Sequence, residues 1–171
     1  KTVTVLALIG TGSKYETKKI NGLSHFLEHM FFKGTKNRPS HMEITEPIDM
    51  VGGVLNAFTA EDWTGYFIKT GAAHVNLNLD LVSDIFLNPL FPEQEIMKEK
   101  TVVIEEINMC KDSPMRHIQD LWGQHLYGDQ PAGWDIAGTK ESVLNLSRQD
   151  LLEYVGSQYV APHAVLVVAG N

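Results

Sequence analysis

His25, Glu28 and His29 fall within five residues, in the run His25-Phe26-Leu27-Glu28-His29. On a helix each residue advances about 100°, so His29 lies about 40° from His25, and Glu28 about 60° to the other side. The three polar side chains then share one face. The rest of the helix carries Leu23, Phe26, Leu27, Met30 and Phe31, and a helix apolar on its other faces is buried. Its polar stripe must face something that satisfies it. Two imidazoles one turn apart can hold one zinc ion, and the carboxylate between them can reach a water on that ion. Two satisfied core histidines would look the same at this level, so the reading needs a third ligand.

The order H-x-x-E-H is a zinc-hydrolase pattern in its inverted form. A candidate third ligand comes from a helix that should start at Pro92 and run to about Lys111, before the break Asp112-Ser113-Pro114. With Glu99 at zero, Glu106 and Cys110 fall about 20° away and Val103 about 40° away. Ile96, Val102, Ile107 and Met109 lie within about 80° on either side. Both glutamates are thus expected in the middle of an apolar face, while Lys98, Lys100, Glu105, Asn108 and Lys111 point elsewhere. A carboxylate on a buried face must be paired or coordinated. No basic residue on that face could pair with it, and a zinc site holding two histidines supplies the cation. Two His and one Glu, with water in the fourth position, form a known catalytic zinc set. Helix phase selects Glu106 over Glu105.

These residues need a frame. The run Thr2–Ile9 reads as a buried strand, and Asn21-Gly22 introduces the histidine helix over 22–33. A second helix is expected over 40–50, stopped by Gly52-Gly53. A hairpin of strands 53–59 and 64–70 follows, then helices 74–87, 92–111 and 115–126. A Gly- and Pro-containing loop leads to helix 147–159, which Ser147 and Asp150 cap, and Ala164–Ala169 is a final strand. Strands in pairs between runs of helices predict an α+β fold, one largely antiparallel sheet with helices packed on it.

The 171 residues suit a single domain with one sizeable core. Fourteen basic and 21 acidic side chains leave a formal charge of −7, which argues against a nucleic-acid partner. One cysteine, Cys110, allows no internal disulfide and is compatible with a reducing, cytoplasmic setting. No apolar run approaches the roughly 18 residues of a membrane span. His41, His74, His117, His125 and His163 lack a partner at ligand spacing.

The segment Gly22-Leu23-Ser24-His25-Phe26-Leu27-Glu28-His29-Met30-Phe31-Phe32-Lys33-Gly34-Thr35 resembles the signature of the M16, or pitrilysin-type, metallopeptidases. That family includes mitochondrial processing peptidase and insulin-degrading enzyme. Its third zinc ligand lies 77 residues beyond the second histidine, which is Glu106 here, and a supporting glutamate seven residues earlier matches Glu99. Gly52-Gly53-Val54-Leu55-Asn56-Ala57-Phe58-Thr59 resembles the family's substrate-binding edge strand, and Val165–Asn171 a strand late in its first domain. Trp134 stands where many members carry arginine. The resemblance implies a metallohydrolase fold like the family's first domain, truncated at both ends: the strand before Lys1 and a second, similar domain, fused or separate, would be missing.

It also implies a zinc endopeptidase acting on extended peptides. Glu28 would serve as general base, Glu99 would orient a ligand, and substrate would add as a strand beside Asn56, Ala57, Phe58 and Thr59. Two other readings share these residues. One is a non-proteolytic scaffold subunit of the same family, although such members usually lose motif residues. The other is a lyase of the S-ribosylhomocysteine-cleaving kind, which shares H-x-x-E-H but takes a cysteine ligand, for which Cys110 would have to serve.

Overall fold

The computed structural model describes residues 1–171. Four strands, β1 (Thr2–Ile9), β2 (Val54–Thr59), β3 (Thr64–Gly71) and β4 (Ala164–Gly170), form one antiparallel sheet in the order β2-β3-β1-β4. Alternation along β1 decides which face is covered. Val3, Val5, Ala7 and Ile9 are buried, and the register places them beside Thr70, Ile68, Tyr66 and Thr64 of β3, all buried too. On the opposite face Leu6, Leu8 and Phe67 are half-buried, while Val165 and Val167 of β4 are exposed. Fold class and the hairpin agree with the sequence expectation.

Seven helices accompany the sheet: α1 (Leu23–Met30), α2 (His41–Met50), α3 (Val75–Leu87), α4 (Glu93–Lys111), α5 (Pro114–Tyr127), α6 (Lys140–Asn145) and α7 (Arg148–Gln158). The main core joins Ile9 and Tyr66 of the sheet to Leu23, Phe26, Leu27 and Met30 of α1, Val103 and Ile107 of α4, and Leu151 and Tyr154 of α7. A second cluster packs Ile48 of α2 with Leu81 and Val82 of α3 on Val5, Ala7 and Ile68. No helix is long and apolar enough to cross a membrane.

The start of α1 is fixed from two sides. Gly22 holds φ +93°, a conformation side chains rarely adopt, and a Cβ there would lie 2.6 Å from the Ala137 carbonyl oxygen. The buried Glu16 carboxylate accepts from the Gly22 and Ser24 backbone N–H groups, both at 2.7 Å, and from Asn21 Nδ2 at 3.1 Å. It thereby satisfies donors that a helix start leaves unpaired. Burial pushes this carboxyl up to about 7, against the pull of those donors.

Three expectations are corrected. The histidine helix ends at Met30 rather than at 33, because Phe32 and Lys33 bond back to His29 and Met30, three residues away, in a tightened last turn. The loop after Gly128 contains α6, whose box between Thr139 and Ser142 caps it. Finally, the buried face of α4 is rotated. It runs through Ile96, Glu99, Lys100, Val103, Ile104 and Ile107, whereas Val102 and Met109 are exposed. Contacts with α6 cause this: Lys100 is buried and its Nζ donates to the Leu144 carbonyl at 2.7 Å. Glu99 therefore lies inside the interface, and Glu106 on its rim.

Candidate metal centre

Helices α1 and α4 pack against each other across the main core, which brings the sequence-selected donors together. His25 Nε2 lies 3.6 Å and His29 Nε2 3.4 Å from Glu106 Oε2, and the three donor atoms are within 4.8 Å of one another. Ligands held at about 2.0–2.1 Å from a tetrahedral ion are about 3.3–3.4 Å apart. The separations to Glu106 are long for hydrogen bonds and close to that ligand spacing. Two imidazoles and a carboxylate also suit zinc chemically. Cys110 is not among the converging donors, and Glu105 is exposed.

His29 is oriented through its other nitrogen. Nδ1 lies 2.8 Å from Glu99 Oε1, which makes Nδ1 a donor and directs Nε2 toward Glu106. Glu99 is 4% exposed, and its second oxygen meets Lys33 Nζ at 2.6 Å. This corrects the expectation that the α4 carboxylates lack a basic partner. Lys33 comes from the turn after α1, outside the face considered. That turn is itself pinned to α3: Thr35, Asn37 and Arg38 donate to the Asp84 carboxylate at 2.6, 2.6 and 2.7 Å.

The charges divide sharply. Burial, followed by the His29 charge, lowers His25 to about 4, so its imidazole is neutral. Burial also pulls His29 down, but the facing Glu106 carboxylate and the hydrogen bond to Glu99 outweigh it and lift the ring to about 9. Burial works against ionisation of Glu99, yet its bonds to His29 and Lys33 hold it below the usual carboxylate range. The facing His29 ring does the same for Glu106. Glu28 differs: burial raises it, only partly offset by the Thr59 hydroxyl, which donates to Glu28 Oε2 at 2.5 Å. A raised carboxylate beside the donor cluster is what a general base requires.

The strand β2 lies at the sheet edge, paired only with β3. Its four expected contact residues divide between faces. Ala57 and Thr59 lie toward α1, with Ala57 packed on the main core. Asn56 is exposed, and Phe58 sits opposite Gly65 with its ring over that glycine, where a Cβ would come within 2.3 Å of the ring. Trp134 lies elsewhere. Its Nε1 donates to Asp129 Oδ1 at 2.9 Å in a polar cleft of about 860 Å³ that shares no residue with the donor cluster.

The family model described as insulinase, peptidase family M16, matches residues 1–140. A zinc protease of Bacillus subtilis is 43% identical over all 171 residues, which cover 42% of its own length. An Arabidopsis thaliana protein named for the beta subunit of mitochondrial-processing peptidase is 36% identical over 99% of the chain and 32% of its length. The crystal structure of a protease from Helicobacter pylori superposes with a TM-score of 0.93 at 30% identity, over 99% of this chain and 41% of that one. The chain thus spans about two fifths or less of these relatives.

Proposed function

The chain belongs to peptidase family M16, and from that premise we propose that it is the metal-binding portion of a zinc-dependent endopeptidase of extended peptides. The observation that carries this reading is the convergence of His25, His29 and Glu106 beside a raised carboxyl, Glu28, held by the Thr59 hydroxyl. Zinc held by those three residues would supply a water of lowered pKa and polarise the peptide carbonyl. Glu28 takes the proton of the attacking water as oxygen joins the carbonyl carbon, then returns it to the leaving nitrogen as the C–N bond breaks. Glu99 and Lys33 hold His29 in the required tautomer.

The free edge of β2 is the place for substrate, which would add as a further strand on backbone hydrogen bonds. Much of the length of the relatives lies outside the matched region. A second, similar domain, fused or separate, is proposed to supply the opposite wall of the cleft. A scaffold role finds no support at the site, where both histidines and both glutamates of the motif are present.

The test is peptide hydrolysis by the full-length protein and its Glu28→Gln variant, with zinc content measured on both. The variant should keep zinc and lose about 10²- to 10⁴-fold in kcat, the usual contribution of a general base. Equal turnover in the two proteins would overturn the assignment.

A further inference from the structure

Thr59 ends β2, and its hydroxyl is the single hydrogen-bond donor to the Glu28 carboxylate. Its backbone faces elsewhere. The Ala57 N–H is taken by Asn56 Oδ1 at 2.8 Å, so it points away from β3. The Ala60 N–H, by contrast, bonds across the hairpin to the Trp63 carbonyl at 2.9 Å. Backbone polar groups alternate sides along an antiparallel strand. Leu55, Ala57 and Thr59 therefore aim their N–H and C=O groups at the free edge, where an added strand would bind. One residue thus offers its backbone to an incoming peptide and its side chain to the base.

The geometry points to Thr59 as a positioning residue for catalysis: its hydroxyl fixes Glu28 Oε2, leaves Oε1 to handle the proton, and ties the base to the substrate-bearing edge. The inference rests on the reading of Glu28 as the base. The balance is simple. Oε1 receives the water proton as the C–O bond forms and releases it to the leaving nitrogen as the C–N bond breaks, while Thr59 keeps its own proton throughout. A threonine chosen only for strand packing would need its branched shape and not its hydroxyl.

That difference sets the experiment, which compares Thr59→Val and Thr59→Ser with the parent in the full-length, zinc-loaded protein. Losing a hydrogen bond to a charged group should lower kcat about 10- to 100-fold in Thr59→Val, with KM and zinc content little changed. Thr59→Ser, which keeps the donor, should recover most of that loss. A second readout needs neither zinc nor turnover. In the metal-free protein, the melting shifts of Thr59→Val and Glu28→Ala should fail to add in the double variant, because each removes the same bond. Two results overturn the proposal: Thr59→Val with the parent's kcat, or Thr59→Val with a raised KM and unchanged kcat, which would make Thr59 an edge contact only. Additive melting shifts would deny the contact itself. If Glu28→Gln cleaves like the parent, the base assignment has failed instead, and the melting cycle still reports separately on the Thr59–Glu28 bond.

Discussion

Loading the site with zinc should expel one proton, and that proton should come from His29. The metal-free ring has a pKa of about 9, because the facing Glu106 carboxylate and the bond to Glu99 outweigh the effect of burial. His25, at about 4, is already neutral, and Glu106 is already ionised. At pH 6, three units below the His29 value, only about one molecule in 10³ has the free Nε2 lone pair that a metal needs. Affinity should therefore rise about tenfold per pH unit and level off near pH 9. The sign follows from the raised pKa: the proton stabilises the metal-free site at low pH and competes with zinc there. Calorimetric zinc titrations at pH 6, in buffers of different ionisation enthalpy, count the protons released. A coordinated water, whose pKa falls to about 7, mostly keeps its proton at that pH. About one proton is expected. None released would mean that His29 is neutral beside Glu99 and Glu106, and the electrostatic account of the site would be wrong.

Other changes separate the residues around the ion. Glu106→Gln should weaken zinc strongly while Glu105→Gln is nearly silent, read by competition with a chelator, because Glu105 is exposed and Glu106 faces both imidazoles. Glu99→Gln should cost about 10- to 100-fold in zinc affinity, measured near pH 9 where proton competition with His29 has faded. Lys33→Met should lower metal-free stability by about 1–3 kcal/mol in denaturant melts, because Glu99 keeps only His29 as a partner. Residues 1–171 alone should take up zinc but cleave peptide far more slowly than the full-length protein, and a fragment equal in rate would mean that the opposite wall is unnecessary.

What the sequence made legible were features set within one element. Helix phase places His25, Glu28 and His29 on one face, and it separates Glu106 from Glu105 without any knowledge of the fold. The strand-like run Thr2–Ile9 identified β1, and the hairpin was bounded by its turn. What escaped were contacts between elements distant in sequence. Lys33 reaches Glu99 across 66 positions, and Thr59 reaches Glu28 across 31. The cap of α6 was readable in Thr139 and Ser142, but serine in place of Glu or Gln weakens that signal. Missing α6 also displaced the buried face of α4, because Lys100 is buried only where the Leu144 carbonyl of α6 accepts its hydrogen bond. Helical periodicity gives the angles between side chains, whereas the neighbour decides where the buried arc is centred.

The most direct test is diffraction from crystals of the zinc-loaded protein, with data above and below the zinc absorption edge. The account predicts one anomalous peak per chain, within about 2.0–2.2 Å of His25 Nε2, His29 Nε2 and a Glu106 carboxylate oxygen. Glu28 should lie close enough to share a water with the ion, but should not bind it directly. A peak elsewhere, a ligand shell that includes Cys110 or Glu105, or no peak at full zinc occupancy in solution would contradict it.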